Sequence, residues 1–171
     1  MIKSLGKNIN VVEMRGNINT RLKKLKNSNI DGIILAKAGL RRMEMDSLIT
    51  QNLSVESFVP SPGQGVLCIE CLSQHSEIMR KIKKVVHLNT EICVSAERIF
   101  AAQMDGDCMS PIGAHATIQK DLISITGFVA TADGTRFIRN KIEGNKNNYK
   151  DLSTKLSNLF IKMGSKGMLK C

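Results

Sequence analysis

Apolar positions along this chain change their period several times, and each change predicts an element. Residues 8–14 carry the apolar pair Val11-Val12 and read as a short strand. A helix then starts from Asn17 or Asn19, either of which can cap it, with Leu22 and Leu25 on its buried side and Lys23, Lys24 and Lys26 outside. Gly32-Ile33-Ile34-Leu35-Ala36 is a continuous apolar run of strand length, as in a strand covered on both faces of a parallel sheet. Strand, helix and strand in this order predict a βαβ unit.

Pro60, Pro62, Gly63 and Gly65 fall within six positions and mark the clearest boundary in the chain. Val66 to Cys71 reads as one more strand, followed by a lysine-bearing helix from Glu77 to Val86. From Asn89 the pattern becomes that of a small α+β domain. Ile92, Ala96, Ile99 and Gln103 share one face of a helix capped by Asn89 or Thr90. Three antiparallel strands follow, around 114–119, 122–130 and 135–143, with Ile123, Ile125 and Val129 alternating on one face and Asp133-Gly134 as a hairpin turn. A last helix runs from Asp151 to Met163, carries Leu152, Leu156, Leu159, Phe160 and Met163 at helical spacing, and stops at Gly164.

Composition narrows the classes. At 171 residues and 42% apolar content the chain can bury a core as one domain or two small ones. No apolar run approaches the ~18 residues of a membrane span and the first residues lack a secretory core, so a cytoplasmic location is expected. Five scattered cysteines, Cys68, Cys71, Cys93, Cys108 and Cys171, do not form the dense framework of a secreted domain, and reduced thiols are expected. The net charge of +10 points to nucleic acid or another polyanion as a partner, with a solvated basic surface as the plainer alternative. With five Phe, one Tyr and no Trp, stacking platforms for nucleic acid are scarce.

Candidate chemistry concentrates at Cys108, in the run Met104-Asp105-Gly106-Asp107-Cys108-Met109-Ser110-Pro111-Ile112-Gly113. Glycine and proline on either side hold this thiol in a loop by backbone geometry. Cys68-Ile69-Glu70-Cys71 has the C-x-x-C spacing, but positions three apart on a strand point to opposite faces and no second pair completes a metal set, so no metal is expected. His75, His87 and His115 stand apart, and a Cys108–His115 hydrolase dyad lacks an orienting third group.

The segment from Glu97-Arg98 to Gly113 resembles the cofactor-attachment signature of hydroxymethylbilane synthase, also called porphobilinogen deaminase. Further blocks resemble the same family in the same order: Arg15-Gly16-Asn17-Ile18-Asn19-Thr20-Arg21-Leu22, Asp31 to Ala36 with Ala38-Gly39-Leu40-Arg41-Arg42, Pro60-Ser61-Pro62-Gly63-Gln64-Gly65, and Ile69-Glu70-Cys71. The resemblance implies a transferase of tetrapyrrole and haem biosynthesis that condenses porphobilinogen head to tail with loss of ammonia. Cys108 would carry the covalent dipyrromethane cofactor. Arg15, Arg21 and Arg42 would bind acetate and propionate groups of the cofactor and the growing oligopyrrole, and Gln64 would lie near the pyrrole site. A guanidinium presents a planar fork to each carboxylate, which suits that role. Asp107 departs from the family pattern, which mostly has a small residue there, and an adjacent carboxylate disfavours a thiolate and slows its attack.

By the same resemblance, residues 1–59 form the second half of a periplasmic-binding-protein-like α/β domain, 60–86 a hinge and a segment returning to an absent first domain, and 87–171 the α+β domain bearing the cysteine. The family's catalytic aspartate falls in an amino-terminal portion that this chain does not match, so no catalytic residue is assigned and the chain alone is expected to be inactive. A separate amino-terminal chain is then the expected partner. Two readings remain beside this one: a non-catalytic basic module for nucleic acid or an acidic protein, and an inert remnant.

Overall fold

In the computed structural model, which describes residues 1–2, 8–105 and 110–169, Asn17 opens helix α1 (Ile18–Asn27). Its side chain accepts the Thr20 amide at 2.9 Å, satisfying one of the donors that a helix start leaves unpaired. Leu22 and Leu25 are half-buried while Lys23, Lys24 and Lys26 are exposed, as the spacing predicts. Helix α2 (Lys37–Arg42) comes close to α1 at Gly39, where a Cβ would stand 2.7 Å from Ile18 Cδ1. A short 3-10 turn over Asp46–Leu48 follows. The chain divides into two compact units, and these elements belong to the first, Met1–Ser54.

The second unit, Val55–Cys171, holds the core. Helix α3 (Ser76–Lys83) precedes α4 (Leu88–Gln103), and three strands follow: β1 (Ile112–Gln119), β2 (Leu122–Ala130) and β3 (Phe137–Asn145). They form one antiparallel sheet in the order β1-β2-β3. Helices α5 (Tyr149–Lys162) and α6 (Ser165–Met168) complete the unit, with Gly164 between them at φ 88°. Ala114, Ala116, Ile123, Ile125, Val129 and Ile138 form one core with Ala96, Phe100 and Met104 of α4 and Leu156 and Phe160 of α5. The two phenylalanines meet edge to face at 4.9 Å between ring centroids. Gly127 makes this contact possible, because a Cβ there would lie 2.6 Å from Phe100 Cζ.

The opposite face of the sheet is covered too. Gly113, Phe128 and Arg139 form one cross-strand row by their register, so their side chains share a face. Over one end of the row the Val59 carbonyl oxygen stands 2.8 Å from where a Gly113 Cβ would be, and over the other Arg139 Nη1 donates to the Glu56 carbonyl at 2.8 Å. Residues 56–60 therefore cross the sheet, which explains why Phe128 and Val59 are buried.

Several expectations are corrected here. Residues 8–14, 32–36 and 66–71 form no strand, and no βαβ unit is present among the described residues. A strand exists through its ladder, and none of these stretches has a neighbour to pair with; Val12, Ile34 and Leu67 accordingly lie exposed. The helix read as Glu77 to Val86 ends at Lys83, and Val85 is 69% exposed. On α4 the core face is Ala96, Phe100 and Met104 in place of Ile99 and Gln103, and the cap is His87, whose Nδ1 accepts the Thr90 amide at 3.3 Å. On α5, Leu159 and Met163 face outward while Ser153 and Ser157 turn inward. No helix among the described residues is long and apolar enough to cross a membrane.

Candidate functional site

In the first unit, basic groups gather around two consecutive backbone carbonyls. Gly16 takes φ 125°, a conformation other residues resist, and a Cβ there would also strike Thr20 Cγ2 at 2.8 Å. The turn so formed lets Arg21 Nε donate to the Gly16 carbonyl at 2.7 Å and Lys24 Nζ to the Arg15 carbonyl at 3.0 Å. Arg15 itself is exposed and donates through Nε to Glu13 at 2.8 Å. Arg15 and Arg21 thus flank the start of α1, each with its Nε engaged by a different partner, Glu13 for one and the Gly16 carbonyl for the other. Arg42 is exposed in the last turn of α2, and its neighbour Arg41 is the one that pairs with Asp46, at 3.0 Å. Lys24 was not singled out in the sequence; its place one turn beyond Arg21 was the available signal.

An open groove of about 400 Å³ runs beside α1, lined among others by Glu13, Thr20, Lys23 and Lys24. None of the expected carboxylate-binding arginines lines it.

In the second unit the site residues fall around the Pro-Gly turn. Gln64 is exposed at the tip, where its amide donates to the Ser61 carbonyl at 3.1 Å. Glu97, by contrast, is buried and works on two segments at once. Its Oε2 accepts the Gly63 amide at 2.7 Å and its Oε1 the Ala116 amide at 2.8 Å. His115 Nδ1 stands 3.8 Å from the same Oε1, half-buried on β1. Arg98, the other half of the sequence pair, is exposed. The glutamate's isolation on an otherwise apolar helix face was the sequence signal of its role.

Cys108 and Asp107 lie outside the described residues. The stretch containing them is anchored on both sides. Met104 is buried at the end of α4, and Asp105 forms an ion pair with Lys166 before α6 closes. After it, the Pro111 carbonyl accepts the Ala130 amide at 3.1 Å, joining the entry of β1 to the end of β2. Cys68 is exposed and Cys71 half-buried, and among the described residues no three histidine, cysteine or acidic side chains assemble a metal site. Burial pushes the Cys93 thiol up from its ordinary value, and the Glu97 carboxylate one turn along α4 adds to the shift, so this thiol is poorly suited to attack.

Residues 1–80 match the family model "Porphobilinogen deaminase, dipyromethane cofactor binding domain", and residues 91–162 match "Porphobilinogen deaminase, C-terminal domain". The chain belongs to the porphobilinogen deaminase family. Similar curated proteins bear the same name: one from Clostridium botulinum (strain Kyoto / Type A2) is 40% identical over 161 residues, 94% of this chain and 54% of the relative. One from Campylobacter hominis is 40% identical, covering 95% and 53%, and one from Pelotomaculum thermopropionicum is 36% identical, covering 95% and 52%. The chain therefore spans about half the length of the curated relatives it matches.

Proposed function

We propose that this chain contributes to hydroxymethylbilane synthase activity in the cytoplasm, as the portion that tethers the growing oligopyrrole. The observation that carries this reading is the match of residues 1–80 to a dipyrromethane cofactor-binding domain, a stretch that contains Arg15, Arg21 and Arg42. Dipyrromethane bears carboxylates, and exposed guanidinium groups are suited to receive them, so the residues present fit the group. When bound, it supplies the nucleophilic pyrrole carbon to which porphobilinogen units are added with loss of ammonia. Cys108 would hold it through sulfur, Arg15, Arg21 and Arg42 would neutralise and orient its acetate and propionate groups, and Gln64 would sit beside a pyrrole ring. Residues 1–59 would complete a periplasmic-binding-protein-like α/β domain, and 60–86 would return to a further domain, when joined by an amino-terminal portion. The exposed apolar side chains of Leu67, Ile69, Leu72 and Val85 support that reading, because a further domain would cover them.

The test is reconstitution. The chain is mixed with an amino-terminal portion taken from a relative and with porphobilinogen, then analysed by intact mass and peptide mapping. The expected result is a dipyrromethane adduct on Cys108 and none after Cys108→Ser. Attachment at Cys68, Cys71, Cys93 or Cys171 would overturn the assignment.

A further inference from the structure

We propose that Glu97 is a positioning residue: its buried carboxylate clasps the Ser61–Val66 turn to helix α4 and to the outer edge of β1, and thereby sets where Gln64 stands.

The argument starts from the edge strand. β1 pairs with β2 on one side only, so the amides of alternate residues, Ala114 and Ala116, point away from the sheet. Both are satisfied by groups from elsewhere in the sequence: Ala114 donates to the Pro60 carbonyl at 2.9 Å and Ala116 to Glu97 Oε1 at 2.8 Å. The same residues that supply one of these partners lead directly into Gly63, whose amide donates to the other carboxylate oxygen. Gly63 adopts φ 75°, which aims this amide inward while Gln64 remains outside. One side chain therefore closes a ring through α4, β1 and the turn. A carboxylate suits the task because it offers two acceptor oxygens to two donors and carries no proton that would oppose them. Aspartate, one methylene shorter, would not span both donors. Glutamine would offer one oxygen and turn its NH₂ against the second amide.

The consequence for Gln64 rests on the proposed pyrrole site; the clasp itself does not. Amide hydrogen exchange of the intact chain tests it. In the wild type, Gly63 should exchange slowly although the exposed amides of Leu67 to Glu70 nearby exchange fast. In Glu97→Gln, at least one of Gly63 and Ala116 should lose protection by roughly ten- to hundred-fold, the range for a hydrogen bond to a charged acceptor. The Ile125 amide, in the centre of β2, should keep its protection. A fast Gly63 in the wild type, unchanged Gly63 and Ala116 in Glu97→Gln, or an equal loss at Ile125 would each overturn the clasp. Failure of cofactor attachment at Cys108 would instead remove the pyrrole site and leave the clasp standing.

Discussion

Residues 88–169 and residues 1–54 carry helices of the same kind, yet they end in different states. α4 and α5 bury Phe100, Leu156 and Phe160 completely against a three-stranded sheet, whereas Leu40 is the one buried residue among those described in the first unit. The contrast shows that helix periodicity with a good cap suffices to form α1, but a core needs elements whose apolar faces close on each other. The α+β unit contains such a closed set. The first unit offers α1, α2 and extended chain whose apolar side chains meet little.

The largest predicted effect follows from that closure. Phe100→Ala removes a ring packed on Phe160 and on Gly127, and should cost about 3–5 kcal/mol, comparable with much of the stability of a small unit. Denaturant unfolding followed by far-UV circular dichroism would measure it, and a loss below about 1 kcal/mol would mean that the contrast between the two units is overstated. Next in size is Gly127→Ala. The added Cβ would lie 2.6 Å from Phe100 and 3.1 Å from Phe160, so two buried rings must shift, at about 1–3 kcal/mol. The double variant Phe100→Ala/Gly127→Ala should lose less than the sum, because the first change makes room for the second.

This ordering also explains what was legible in the sequence. The strands and the last helix of the α+β part were readable to within a few residues, because alternation at Ile123, Ile125 and Val129, the Asp133-Gly134 turn and Gly164 are local signals that agree with the packing. The βαβ unit was misread for a physical reason. A run such as Gly32 to Ala36 states that a strand can form there, but the ladder that makes it one depends on a neighbour the run does not specify. Of the candidate site, the hydrogen bond from Arg21 to the Gly16 carbonyl follows from the Gly16 turn and the Asn17 cap. The two-sided grip of Glu97 does not, since its donors lie 34 and 19 positions away.

A smaller effect separates binding from folding in the first unit. Arg21 is held by one hydrogen bond to the Gly16 carbonyl on an exposed surface, so Arg21→Leu should change stability by only ~0.5 kcal/mol. If its guanidinium meets a propionate, the same change should weaken that contact by about 1.5–3 kcal/mol, and Arg21→Lys should recover part of it through charge without the planar fork. Thermal unfolding and elongation intermediates resolved by mass spectrometry, on the same variants in the reconstituted system, check both halves. Normal elongation in Arg21→Leu would exclude the cradle, and a large drop in melting temperature would make Arg21 structural.

The smallest effect lies in the hairpin that closes the α+β unit. Asp133 accepts hydrogen bonds from the Thr131 hydroxyl and from the Thr135 amide and hydroxyl, and these hold its carboxyl at about 2, below the ordinary 3.8. A carboxylate bound more tightly in the folded than in the unfolded chain stabilises the fold above its unfolded value, and the contribution disappears as pH falls through the folded one. The turn between β2 and β3 should therefore be intact at pH 5 and loosen between about pH 4 and pH 2, with β3 amides near Phe137 exchanging faster at the acid end. Glu143, lowered by its hydrogen bond and ion pair with Lys141 on the same strand, titrates toward the same acid region, so the two must be separated. Asp133→Asn keeps an acceptor for Thr135 and removes the titration, and should flatten the pH dependence at Phe137 while leaving that of Glu143 in place. Because Asp133 is fully exposed, water screens the effect and the rest of the sheet should hold through this range. If the Phe137 region loosens identically in the wild type and in Asp133→Asn, the acid sensitivity of this hairpin belongs to Glu143.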